Sequence, residues 1–191
     1  MNEPTLREVL VSVARCATST VRLLAARRLA MPRDRVGTEF AFADGSRSVV
    51  FRETVARNRS PEESVLLLVS FRLRFIGRNR LAHKVFRVTC VVDTPLFAGF
   101  PGFRSKYWLA DLETGDYRGA YDWNGAAAAE HYARVLSRIL ALVTVLGSVR
   151  WRIVPGRLAG RVPAHGHRPW QVHSMTKATA ALIRLAAQSA M

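Results

Sequence analysis

Apolar residues over the first thirty positions recur every three or four. Leu6, Val9, Leu10, Val13, Ala17, Val21 and Leu24 fall on one side of a helix, while Arg7, Ser12, Arg15, Ser19 and Arg22 fall away from it. The spacing predicts a helix over 5–30, with Pro4 where a first turn tolerates proline and Met31-Pro32 as its end. A basic amphipathic helix of this kind suits a membrane surface. An apolar face of Ala and Val without Trp or Phe instead favours docking on the body of the protein. Between 36 and 55 the period shortens to two, and aromatics alternate around Asp44-Gly45, which predicts a tight hairpin. Phe40 and Phe42 share one face, with Val49 and Phe51 as expected partners, and Asp44 and Arg47 at the tip read as turn chemistry.

Arg57 to Glu63 is a polar break, and Ser64 to Phe75 runs continuously apolar and then alternates, as a central strand does. A basic loop, Gly77 to Arg80, follows it. Leu81, Val85, Val88 and Val92 keep helical spacing, although the β-branched run is also compatible with a strand. Thr94-Pro95 reads as a helix start for a short piece ending near Phe100. After the Pro101-Gly102 turn, strands are expected at 103–111 and 116–123 with a polar turn between them. Alternation puts Lys106, Trp108 and Ala110 on one face of the first strand, and Tyr117, Gly119, Tyr121 and Trp123 on one face of the second. A helix from Ala126 to about Leu146 turns Tyr132, Val135, Leu136, Ile139, Leu140 and Val143 inward, with Glu130 and Arg134 as an i,i+4 pair. Ser148 to Pro155 alternates as a last strand. Beyond it lies a Gly- and Pro-punctuated tail with His165, His167 and His173 and a weak helix at 174–190.

The chain carries a formal net charge of +15, from 26 Arg and 3 Lys against 14 acidic residues. Such a charge attracts phosphates, nucleic acid or anionic lipid. The Arg-for-Lys bias is equally what a GC-rich genome produces without any partner. No acidic residue follows Glu130, so the C-terminal third is purely cationic. It lacks the interleaved aromatics of a single-strand platform and any helix-turn-helix, zinc-finger or RNP pattern, so nucleic acid and anionic membrane are not the favoured partners. Cys16 and Cys90 form neither a disulfide framework nor a metal cluster, which fits a reducing compartment. No apolar run spans a bilayer, and the start, Met1 to Thr5, lacks the pattern of a signal peptide, so the expected location is cytoplasmic.

The expected order from 64 to 156 is strand, helix, strand, strand, helix, strand, which is ferredoxin-like. The expected fold class is therefore α+β, a four-stranded antiparallel sheet with two helices at 61–156. An N-terminal helix and β-hairpin extension occupies 1–60, and a basic tail occupies 157–191. Pro101-Gly102-Phe103, then Lys106 and Trp108, then Gly119 to Trp123 ahead of an Ala-rich helix, resemble the dimeric α/β-barrel superfamily, nearest to YdhR-type mono-oxygenases. Asp93 to Phe103 also resembles a pattern of uncharacterised actinobacterial-type proteins. The resemblance implies a homodimer whose sheets close around a pocket. For the mono-oxygenase members it implies oxidation of electron-rich aromatic substrates by O2 without metal or flavin, while other members bind haem, degrade small acids or sense ligands; no cofactor is expected here.

Under that resemblance, Lys106, Trp108, Tyr121 and Trp123 would line the helix-free sheet face as a substrate-binding set. Lys106 would bind an anionic or enol-like group, and the aromatics would stack on a planar substrate. His131, on the second helix of the unit, is the candidate general base because imidazole titrates near neutrality. The competing reading makes the aromatics ordinary core, Lys106 a solvated strand residue and His131 an exposed or capping histidine. His83 beside the basic loop reads the same way, and the tail histidines lack metal-ligand spacing. Two functions follow from different classes. One is a small-molecule-binding α/β-barrel protein, a cofactor-independent mono-oxygenase for an aromatic or polyketide-like substrate. The other is a non-catalytic interaction module with its cationic tail on an anionic surface.

Overall fold

The structure is a computed structural model describing residues 4–42, 45–57, 63–74, 79–90, 93–94, 97–111, 114–156 and 158. In chain order its elements are α1 Leu6–Ala25, β1 Leu29–Ala30, β2 Glu39–Ala41, β3 Arg47–Ala56, β4 Ser64–Arg72, α2 Arg80–Thr89, β5 Phe103–Ala110, β6 Asp116–Asn124, α3 Ala126–Leu140 and β7 Arg150–Pro155. Asp44, Gly77, Pro95, and residues 159–191 with the expected helix and the three histidines lie outside the described residues.

One antiparallel sheet runs in the order β1-β3-β5-β6-β4-β7, with β2 paired to β3. Its segment β5-β6-β4-β7, with α2 and α3 as connections, is the ferredoxin-like arrangement. The continuous apolar run of β4 suits its central place, because it is packed on both faces. Leu67 and Val69 join the larger core, while Leu66 and Leu68 pack on the opposite side. Residues 81–89 are helical rather than extended. The side chain of Asn79 caps that helix by accepting from the backbone N–H groups of Leu81 and Ala82.

The N-terminal hairpin forms and extends the sheet through β3 on β5. Its register differs from the expected one. Phe40 lies opposite Ser48, so it packs on Val50 and Tyr107 rather than on Val49 and Phe51. A bulge between Val50 and Arg52 then turns Phe51 to the other face, where its ring meets Trp108 and Tyr117.

Helix α1 begins at a capping box that the Pro4 reading overlooked. The Thr5 hydroxyl accepts from the Glu8 N–H, and the Glu8 carboxylate accepts from the Thr5 N–H at 2.7 Å. Thr5→Ala is expected to cost about 1 kcal/mol. Calorimetry should then read a melting temperature lower by about 2–4 °C. The helix stops at Ala25, short of the expected end, because Arg27 adopts φ 53° and Leu29–Ala30 pairs with β3.

The buried face of α1 is also rotated from the expected stripe. Val9, Cys16 and Thr20 face inward, whereas Leu6, Leu10, Val21 and Leu24 are exposed. The cause is a close backbone approach. A Cβ on Gly99 would stand 2.0 Å from the carbonyl oxygen of Cys16 and 2.7 Å from the Thr20 nitrogen. Small side chains permit that approach, and large apolar residues would prevent it. The α3 helix ends at Leu140 rather than near 146, and its Glu130–Arg134 pair forms at 2.6 Å.

Candidate functional site

The β5–β6 hairpin brings the candidate residues together by register. Lys106 stands opposite Tyr121, Trp108 opposite Gly119, and Phe103 opposite Trp123. A bulge at Arg104 puts Phe103 and Lys106 on one side although they are three residues apart. Gly119 has no side chain, and the Tyr121 ring lies where its Cβ would be, 2.5 Å from that point. The aromatic cluster therefore folds down along the strand.

Lys106, Trp108, Tyr121 and Trp123 do not line the helix-free face. They point toward the helices, where Trp108, Tyr121 and Trp123 share a core with Cys16 of α1, Tyr132 of α3 and the segment 97–103. Alternation had grouped the side chains correctly within each strand. It carries no information about which side the crossover helices cover. The helix-free face instead holds Val50, Tyr107, Leu109 and Ala120, and Phe40 of the hairpin and Leu158 pack onto it.

Lys106 is buried, at 4% exposure, and is not the solvated strand residue of the competing reading. Its Nζ lies 2.9 Å from the Trp108 ring centroid, 4.4 Å from that of Phe97 and 4.8 Å from that of Tyr121. Burial drives its pKa well below that of an ordinary lysine, a shift that Cys90 and Asp93 oppose and Arg52 reinforces. Burial raises the Asp93 carboxyl, with Lys106 and Arg52 holding it down, and pushes the Cys90 thiol up to about 12. Tyr121 and Tyr132 are raised by burial too, and the Tyr132 hydroxyl donates to that of Tyr121 at 3.3 Å.

The outer shell is firmly tied. Trp123 stacks on Tyr132 at 4.6 Å and donates its indole N–H to the Pro101 carbonyl at 2.9 Å, while Trp108 reaches the Thr54 hydroxyl at 3.5 Å. Two polar atoms nearby in the chain or the sheet are buried without partners among the described residues. They are a guanidinium nitrogen of Arg52, whose strand position faces Trp108, and the hydroxyl of Thr94, next to Asp93. An orphaned buried donor or acceptor costs about 1–3 kcal/mol, which a polar ligand would offset. Chemically, the centre offers an amine shifted toward its free-base form inside a ring of protonated phenols and thiol.

His131 is not part of this centre. It is exposed on α3, its ring 6.0 Å from Phe100, beside a surface groove of about 600 Å³ lined by Ser12, Arg15, Ser19 and Arg22. His83 is half-buried and its Nδ1 meets the Tyr117 hydroxyl at 2.8 Å. Among the described residues no cluster of His, Cys, Asp or Glu suits a metal ion. The sequence pattern assigns no site role to Phe97, Asp93, Cys90, Arg52 or Thr54. Phe97 and Asp93 sit inside the quoted 93–103 pattern, whereas Arg52 and Thr54 come from the added strand and had no signal of their own.

No family model matches the chain, and no curated protein is matched either. Among solved structures it is similar to a monooxygenase of Streptomyces coelicolor in complex with nanaomycin D. That match has a TM-score of 0.37 and 16% identity, covering 51% of this chain and 91% of that one. It is also similar to a monooxygenase-like protein of Listeria innocua, with a TM-score of 0.36 and 13% identity, over 59% of this chain and 65% of that one. A third is an uncharacterised ferredoxin-fold protein of Listeria monocytogenes related to antibiotic biosynthesis monooxygenases. Here the TM-score is 0.39 and identity 12%, over 70% and 85% of the two chains. By its own strand order and helix placement, this chain is an α+β protein of the ferredoxin-like fold.

Proposed function

We propose that the protein binds a small electron-rich aromatic molecule at Lys106 and oxidises it with O2. The observation that carries this reading is a lysine nitrogen buried against three aromatic faces. Burying an ammonium costs stability, and a perturbed amine in such surroundings is what a functional site needs. Trp108, Tyr121 and Trp123 supply the planar surfaces for the substrate. His131, outside this centre, is given no step.

The reaction is written for a phenol that leaves as its para-quinone. Free-base Lys106 takes the phenolic proton, which makes the ring a much better electron donor. O2 accepts the ring electrons and bonds to the carbon para to the oxygen, giving a hydroperoxide. Loss of the ring proton and cleavage of the O–O bond leave a C=O at that carbon and release one water. One phenol and one O2 thus give one quinone and one H2O, with all four electrons coming from the substrate. Lys106 returns its proton to the departing oxygen. Because Phe97 rests over Lys106, substrate reaches the amine only when the 97–100 segment shifts.

Oxygen consumption with a panel of anthrones and phenols unsubstituted at the para carbon tests the reading. The expected result is uptake of one O2 per quinone formed, together with a ligand-induced rise in melting temperature. No uptake and no rise across the panel would sink it. A rise without uptake would retain the binding site and remove the oxygenase.

A further inference from the structure

One exposed flank of α1, about 90° round from the residues that dock on the core, is richer in leucine than the docking face. At about 100° per residue, Leu6, Leu10, Ala17, Val21 and Leu24 fall within an arc of roughly 60°. Leu6 is 75% exposed, Leu10 61%, Val21 62% and Leu24 49%. The docking face, by contrast, uses Val9, Cys16 and Thr20. A water-facing helix would place its leucines the other way round. Next around the exposed half come Arg7, Arg15 and Arg22. The single acidic residue of the helix, Glu8, has its carboxylate engaged by the Thr5 cap.

Stripe and arginines share the exposed side of the helix, Arg7 next to the stripe and Arg22 and Arg15 further round, which suits one occupant in particular. A second copy of the chain would bring +15 against +15. An anionic bilayer takes the leucines below its headgroups, while the guanidinium groups beside them reach the phosphates. Among the described residues no helix is long and apolar enough to cross a membrane, so the contact is peripheral. We infer that α1 is an interfacial anchor, which seats the protein on a negatively charged lipid surface through Leu6, Leu10, Val21 and Leu24, with Arg7, Arg15 and Arg22 at the headgroups.

Sedimentation of the full chain with phosphatidylcholine vesicles containing 0 or 30% phosphatidylserine tests this. Binding is expected on the anionic vesicles only, and raising NaCl from 0.1 to 0.5 M should weaken it severalfold. The quadruple variant L6Q/L10Q/V21Q/L24Q replaces exposed or half-exposed side chains by a residue of similar helix propensity. It should keep the wild-type melting temperature and bind at least about tenfold more weakly. Arg7→Glu with Arg15→Glu should do the same by a salt-sensitive route. Three outcomes would overturn the inference. The first is no binding of the wild type to anionic vesicles. The second is binding that both variants leave unchanged, which would place the contact elsewhere in the chain. The third is a stable homodimer, seen by light scattering, that the quadruple variant dissociates, which would make the stripe a contact between copies.

Discussion

Lys106→Met is expected to lower oxygen uptake by at least about a hundredfold, the scale of a lost general base, while making the protein harder to melt. The two effects have one origin. The Lys106 nitrogen sits among Trp108, Phe97 and Tyr121 with burial pressing its pKa far down, so the folded state holds the proton less firmly than the unfolded chain does. Methionine fills a similar volume, keeps the sulfur–aromatic contacts favourable and has no proton to lose. Replacing a poorly compensated buried charge by an apolar side chain commonly stabilises by about 1–3 kcal/mol. For a chain of this length that corresponds to about 2–4 °C in melting temperature for each kcal/mol.

The pH dependence separates this account from a general packing gain. Because the folded pKa is depressed, the unfolded state binds more protons in the window between that pKa and the ordinary lysine value near 10.4, so stability rises with pH there. The destabilisation due to Lys106 is complete below the folded pKa and vanishes above the unfolded one. The stability difference between Lys106→Met and the wild type should therefore narrow as the pH climbs toward about 10. A pH-independent difference, or a variant less stable than the wild type at neutral pH, would show that the amine is compensated in the fold and would remove its status as a strained site. Unchanged oxygen uptake would take the base role from it.

How far the sequence reveals this architecture depends on the kind of interaction. Alternation in β5 and β6, the Asp44-Gly45 hairpin signal and the apolar run of β4 all mark real strands, because pleat and turn chemistry are local. The same alternation sorted Lys106 with Trp108 and Tyr121 with Trp123. It did not say that this side lies under the helices, since that depends on which way the crossovers run. The bulges at Phe51 and Arg104 shift register by one residue and leave no mark in the apolar pattern. Arg52 and Thr54 reach the Lys106 centre only because β3 adds itself to β5, a long-range pairing that no local period announces. Helix α1 misled for the opposite reason. Its largest side chains form the clearest stripe in the chain, but it docks through its smallest.

Gly99→Val should have the second largest effect, and it tests how that docking reaches the site. Gly99 carries no positive φ, so the penalty is purely steric. A Cβ there meets the Cys16 carbonyl at 2.0 Å and the Thr20 nitrogen at 2.7 Å, both fixed backbone atoms that no rotamer change can move. Either α1 lifts away or the 97–100 segment drops, and each breaks the packing of Val9, Cys16, Phe97 and Phe100 in the shared core. A cost of about 3 kcal/mol is expected, at the upper end of overpacking effects. The melting temperature should fall by about 6–12 °C. Gly147→Ala is the contrast, with φ +74° and nothing within 4 Å of its Cβ, so only local backbone strain of about 1–2 kcal/mol applies. Because Phe97 belongs to the displaced segment and covers Lys106 at 4.4 Å, the valine variant should also uncover the amine. With only three lysines in the chain, amine-reactive labelling at pH 8 followed by peptide mapping can follow Lys106 by itself. Labelling is expected to be much faster in Gly99→Val than in the wild type or Gly147→Ala. Equal protection of Lys106 in all three would mean that α1 does not hold the 97–100 segment over the amine.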